Sequence, residues 1–148
     1  MLYRVLTLLF LVAATPAFAD PGLARFAGSY RGAATVTLSG GQSENLTCTS
    51  INGVKGSSLT IAIRCANASS KFEARSRVVL AGSSLSGTWL IIDPSYDGTV
   101  SGTAHGDTLS VRIAGPAFSG TATVRKDGQG LHVRLMIKDG LQLTANLH

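Results

Sequence analysis

The two cysteines are the most reactive residue type in this 148-residue chain, because thiols can exchange disulfides, bind metals or form a disulfide. Cys48 and Cys65 are too far apart for the C-x-x-C pattern of thiol–disulfide enzymes. Two thiols are also too few for a zinc site built mainly from cysteine. We therefore expect them to form one structural disulfide.

The three histidines offer little more. His105 and Asp107 flank a glycine and could together hold a metal ion or move a proton, but no further ligand stands nearby in the sequence. The chain has no Gly-x-Ser-x-Gly elbow around a nucleophile, and no phosphate-binding glycine loop leads into a helix. The sequence thus favours a protein that is not an enzyme and that has no metal and no cofactor.

The N-terminal segment resembles a secretory signal. Arg4 precedes an apolar run over 5–14, and small residues at 17 and 19 form a cleavage site before Asp20. Ten helical residues rise about 15 Å, which is too short for a bilayer core of about 30 Å. We expect residues 1–19 to be a signal peptide, residues 20–148 to form a single domain, and the protein to be periplasmic or secreted, with the signal peptide as its one membrane segment.

The charge of the expected mature chain is mildly basic. Without Arg4 it carries twelve Lys and Arg against eight Asp and Glu, a net charge of +4. These basic residues are scattered, and no basic stripe is interleaved with aromatic residues, so nucleic-acid binding has little support.

The elements that must position these residues are strands. Apolar residues alternate with polar ones in segments such as 59–65 and 72–78, the period of a strand with one buried face. Turn signals divide the chain into about ten segments: 28–38, 43–51, 57–66, 70–81, 84–92, 97–104, 107–114, 117–126, 130–138 and 141–147. Short connections favour an all-β antiparallel meander, closed into a barrel or flattened into a sandwich-like barrel.

A short repeat predicts strong curvature. The pattern apolar-Ser-Gly-Thr occurs at 85–88, 100–103 and 118–121, with the apolar residue and the glycine on one face of the strand. A glycine there either lets the strand bend sharply or leaves room for a large neighbour such as Trp89.

The cysteine pair sets a register. A hairpin centred after Gly56 places Cys48 directly opposite Cys65, where a cross-strand bridge fits. The Asn-Gly pair at 52–53 is a strong competing turn signal that would break this pairing. We therefore expect a longer loop over 51–56.

Several motifs carry a resemblance to known proteins. The aromatic-x-Gly-x-aromatic-x-Gly opening at 26–32, Cys48, Arg-Cys-Ala at 64–66 and Ser-Gly-Thr-Trp at 86–89 resemble short exported bacterial proteins of unknown function. The resemblance implies export and an all-β fold, and no activity. Some such proteins carry a second cysteine pair near the C-terminus, which this chain lacks.

The Gly-x-Trp motif at 87–89 and the strand count are also similar to lipocalin, fatty-acid-binding and avidin-type barrels. In lipocalins that motif lies on the first strand, whereas Trp89 is in the middle of this chain. No ligand residue is carried over from these families.

Two functions follow from these observations. The first is an exported binding module that holds a small apolar ligand in the barrel through Tyr30, Phe72, Trp89 and Phe118. For Trp89 the alternative role is core packing.

The second function is an interaction or structural protein of the periplasm or cell surface that binds an anionic envelope partner. Its binding face would consist of outward-facing basic residues: Arg75, Arg77, Arg112, Arg125, Lys126, Arg134 and Lys138.

Overall fold

A computed structural model describes residues 21–148, so the expected signal peptide lies outside the described part of the chain. Ten strands follow a four-residue helix, α1, which the sequence pattern did not predict. The elements are α1 Pro21–Ala24, β1 Gly28–Thr37, β2 Ser43–Lys55, β3 Ser58–Ala66, β4 Lys71–Ala81, β5 Ser84–Ile92, β6 Tyr96–His105, β7 Thr108–Ala114, β8 Gly120–Asp127, β9 Gly130–Ile137 and β10 Gln142–Leu147.

Every strand pairs antiparallel with the next one along the chain, and β1 also pairs with β10. The meander is therefore a closed barrel, which decides between the barrel and the sandwich left open by the sequence. Closure gives every strand two partners, so no edge is left to pair with another chain.

The two-residue period sorts side chains between the inside and the outside of the barrel. Leu59 on β3 faces Val78 on β4, and both are buried. The adjacent pair on the same two strands, Thr60 and Arg77, points outward, and both residues are exposed. Apolar residues thus line the interior, and the outer face carries mostly polar side chains.

The predicted register of the cysteine hairpin is confirmed. Cys48 pairs with Cys65 across β2 and β3, and the two form a disulfide with Cα atoms 4.1 Å apart. The expected loop over 51–56 is wrong, because the ladder continues to Lys55 and Ser58. A tight turn closes it instead, with Gly56 in a left-handed conformation at φ 57°.

A contact remote in sequence explains why the Asn-Gly signal does not make the turn. Asn52 lies inside β2 and is buried, with its Nδ2 donating a hydrogen bond to the Phe26 carbonyl at 3.0 Å. Its Oδ1 accepts a hydrogen bond from the Ser50 hydroxyl at 2.7 Å. The side chain that would favour a turn is thus satisfied within a strand.

Inward-facing glycines mark where neighbouring strands approach each other. A Cβ added to the glycines of the repeat would lie only 1.9–2.1 Å from a backbone oxygen of the adjacent strand; these are Gly87, Gly102 and Gly120. Close backbone approach is therefore the role of the repeat. Gly98 and Gly115 combine close backbone approach with room for a large neighbour. An added Cβ would lie 1.9 and 2.6 Å from a backbone oxygen and would also meet the Trp89 ring at 2.6 and 2.8 Å.

Helix α1 and the residues after it cover one end of the barrel. Leu23 and Phe26 are fully buried there. Arg25 forms an ion pair with Asp107 in the turn between β6 and β7, which ties this segment to the barrel wall. Within residues 21–148, no helix has the length and hydropathy needed to cross a membrane.

Candidate functional site: an apolar cavity inside the barrel

Tyr30 belongs to the end of the barrel that the helix covers. Its hydroxyl donates a hydrogen bond to the Ala27 carbonyl at 2.9 Å and accepts one from the Lys126 ammonium at 3.3 Å. The same ammonium lies 4.7 Å from the centroid of the Tyr30 ring, in reach of a cation–π interaction. Lys126 thus faces inward, which corrects its place among the outward-facing basic residues.

The barrel interior contains a cavity of about 200 Å³. Its walls come from strands β3 to β10, and apolar side chains supply nearly all of them. The cavity contacts three of the four predicted ligand-binding residues, namely Phe72, Trp89 and Phe118, while Tyr30 lies outside its lining.

Residues in the middle of the strands border an unfilled space. Val111, Val124 and Val133 point inward from the middle of their strands, yet each remains only partly buried. In a close-packed interior such positions would be fully buried. Near the end opposite α1, Phe72 and Phe118 are also partly exposed, so the cavity communicates with solvent on that side.

Small side chains help to keep the cavity open. Ala74 and Ala122 lie on its wall, and Gly102 faces inward between Leu85 and Val111. A barrel of ten strands is wider than these small side chains can span, so side chains from opposite walls do not meet in the middle.

The cavity presents almost no hydrogen-bonding group. Ser76 is the one hydroxyl residue on its wall, and its Oγ already donates to the Thr88 carbonyl at 3.0 Å. Among the described residues, no buried side-chain nitrogen or oxygen lacks a partner. Recognition in this space would therefore depend on shape and apolar contact rather than on polar anchoring.

An aromatic group forms one part of the cavity wall. The Trp89 indole lies between Gly98 and Gly115 and donates its Nε1 hydrogen to the Ala114 carbonyl at 3.2 Å. Phe118 stacks on it with ring centroids 4.8 Å apart.

Phe118 lies in the loop between β7 and β8, so the expectation of a strand starting at 117 is wrong by three residues. Tyr96 approaches the same Phe118 ring edge-on at 6.1 Å and is itself exposed. Trp89 is 8% exposed, so it packs in the core and also lines the cavity.

The polar residues considered for catalysis do not gather. His105 is exposed, and Asp107 is engaged by Arg25. His132 faces outward and contacts Asn146 and Asp127. In the part of the chain that the structure describes, no three His, Cys, Asp or Glu residues come close enough to hold a metal ion.

The outer wall next to the cavity carries an ion-paired carboxylate. Glu73 on β4 interacts with Arg75 at 2.9 Å and with Arg64 at 3.1 Å. The hydrogen bond from Arg75 is the main cause that lowers the pKa of Glu73, with further help from Arg64, and partial desolvation opposes it. Arg75 is therefore not a free cation.

Sequence reasoning missed most of the cavity wall. It singled out aromatic residues, whereas the wall is largely aliphatic, as at Ile63, Val111 and Leu135. The alternation of apolar residues identified these positions as inward-facing, but no local pattern marks an inward residue as lining a void.

Comparison of the chain with models of protein families and with curated proteins yields no match.

Proposed function

We propose that this protein is an exported, non-enzymatic binding module that holds a small apolar ligand inside its barrel. The observation that carries the proposal is the cavity of about 200 Å³, which is apolar and partly open to solvent. For comparison, an engineered cavity of about 150 Å³ stays dry and binds benzene. The space suits one ring or a short hydrocarbon chain without charge on the buried part.

Trp89 is the natural reporter for this proposal, because it is the single tryptophan and lines the cavity. Titration with single-ring aromatics and short fatty acids should change its fluorescence and saturate. Native mass spectrometry of the purified protein should show bound species of matching mass. Absence of both a fluorescence response and a bound species contradicts the proposal.

A matched pair of substitutions separates cavity binding from surface adsorption. Ala74 faces the cavity, and Ala62, on the neighbouring strand β3, faces outward between Ile51 and Arg75. Ala74→Leu should fill part of the cavity and weaken binding at least tenfold with little loss of thermal stability. Ala62→Leu should bind like the wild type. Equal affinity of the two variants contradicts binding inside the barrel.

Export forms part of the proposal and rests on two supports. The N-terminal residues have a signal-like pattern, and disulfides such as Cys48–Cys65 persist in oxidising compartments. Intact-mass measurement and non-reducing peptide mapping of exported protein should find a chain beginning at Asp20 with the two cysteines bridged. A chain that begins at Met1 and has two free thiols contradicts export.

A further inference from the structure

Three unpaired arginines lie on adjacent strands, on the outer side of the wall whose inner side lines the cavity. Arg112 is on β7, Arg125 on β8 and Arg134 on β9, and all three are exposed. Within residues 21–148, none of them forms an ion pair, in contrast to Arg64 and Arg75. Their charge is therefore available to a partner.

Hydroxyl side chains surround Arg112. Ser101 and Thr121 flank it on the neighbouring strands. Ser110 precedes it by two positions on the same face of β7, and Thr123 lies opposite Ser110 on β8. These residues line a shallow depression of about 320 Å³ in the outer surface.

The pairing register also fixes the position of a second arginine. Arg134 lies opposite Thr123, which lies opposite Ser110. Strand spacing and residue rise place the Cα atoms of Arg112 and Arg134 about 12 Å apart. The face thus presents separate cations with hydroxyl groups between them. The row of paired residues formed by Ser110, Thr123 and Arg134 contains no Asp or Glu.

We propose that this face, defined by Arg112, Arg125, Arg134 and the hydroxyl residues between them, binds a sulfated polysaccharide. A guanidinium group recognises a tetrahedral oxyanion through paired hydrogen bonds. Ser and Thr hydroxyls can donate to and accept from the hydroxyls of a sugar. Spaced arginines match a chain with repeated anionic groups better than a single small ion.

The outward-facing residues of the three strands argue against a single-stranded nucleic acid as the partner. They include no Phe, Tyr or Trp on which bases could stack. The outward-facing residues of β7, β8 and β9 are Thr108, Ser110, Arg112, Ala114, Thr121, Thr123, Arg125, Asp127, His132, Arg134 and Met136. The proposal is independent of the ligand cavity, because these side chains point away from it.

Calorimetric titration with dextran sulfate oligosaccharides tests the proposal, with uncharged dextran as the control ligand. The double variant Arg112→Gln/Arg134→Gln should lose about tenfold in affinity per arginine and show a shallower salt dependence. The matched control is Arg31→Gln/Arg77→Gln, which removes the same charge from exposed, unpaired positions on β1 and β4. It should bind like the wild type.

Three results would overturn the proposal: no binding of dextran sulfate, an equal loss in both double variants, or equally tight binding of polyglutamate. The second result would indicate general charge attraction, and the third an acidic protein partner. Circular dichroism of both variants checks that the barrel is intact. Ligand titration of the Trp89 fluorescence should be unchanged in both, which keeps this test separate from that of the cavity.

Discussion

The Trp89 and Phe118 rings stack with their planes 23° apart, and this contact joins a strand to a loop. The strand side is fixed, because the Trp89 indole is held between two glycines and hydrogen bonded to the Ala114 carbonyl. The loop side depends on Phe118 alone. The stacked pair therefore combines a rigid wall with the one aromatic side chain of the cavity that a loop carries into it.

Phe118→Ala should weaken ligand binding and lower the free energy of unfolding by about 1–3 kcal/mol, because it removes a stacked, partly buried ring. Ligand titration and urea denaturation measure the two effects. Phe118→Leu is the control, since it keeps apolar volume and loses only the stacking. Wild-type affinity in Phe118→Ala would contradict a role for this ring in the site.

Removal of the disulfide should destabilise the barrel without changing its fold. The bridge joins residues separated by 17 positions, and closing a loop of that size contributes about 3 kcal/mol in the chain-entropy estimate. Alanine suits both buried positions, so Cys48→Ala/Cys65→Ala is the variant to denature chemically. Wild-type protein measured with a reductant should lose a similar amount, and unchanged stability in both would contradict the estimate.

Gly102→Ala should be strongly destabilising, by more than about 2 kcal/mol, although the change is only one methyl group. The added Cβ would lie 2.1 Å from the Ser110 carbonyl oxygen, so the backbone of β6 or β7 must move. Gly40→Ala is the control, because nothing lies within 4 Å of its added Cβ. Thermal denaturation of both variants measures the difference, and similar melting temperatures would refute the role of Gly102 in close backbone approach.

Glu73 should make the barrel slightly less stable in acid. Its pKa in the folded protein lies below the usual value of 4.5, so the stabilisation is present above that pH and is lost as the pH falls below it. Glu73→Gln should remove this part of the acid sensitivity in denaturation curves measured across that range. Glu44→Gln, which removes a carboxylate without an ion pair among the described residues, should follow the wild type.

Much of the barrel could be predicted from the sequence, because one buried face imposes a two-residue period on each strand. The boundaries of β5, 84–92, agree at both ends, and the two cysteines set the register of β2 and β3. The loop expected over 51–56 is wrong, because the partner that keeps Asn52 within β2 is the Phe26 carbonyl, far away in the sequence.

The site was less predictable for a similar reason. Whether Val111 meets a side chain from the opposite wall depends on the width of the closed barrel, which no local pattern encodes. The inward orientation of Lys126 had a signal, since it shares the parity of Val124 on β8, but its charge suggested the surface. The Tyr30 ring and hydroxyl that accommodate the charge become visible only in three dimensions.

The pairing of β1 with β10 has a consequence for how the protein can be tethered. Arg31 and His148 exchange backbone hydrogen bonds, both at 2.9 Å, so His148 lies beside the start of the first strand. The start of β1 is at the end of the barrel that α1 covers. A fusion partner, a surface linker or a fluorescent label attached at His148 would lie at this end of the barrel. The opposite end, around Phe72 and Phe118, would then face away from the attachment.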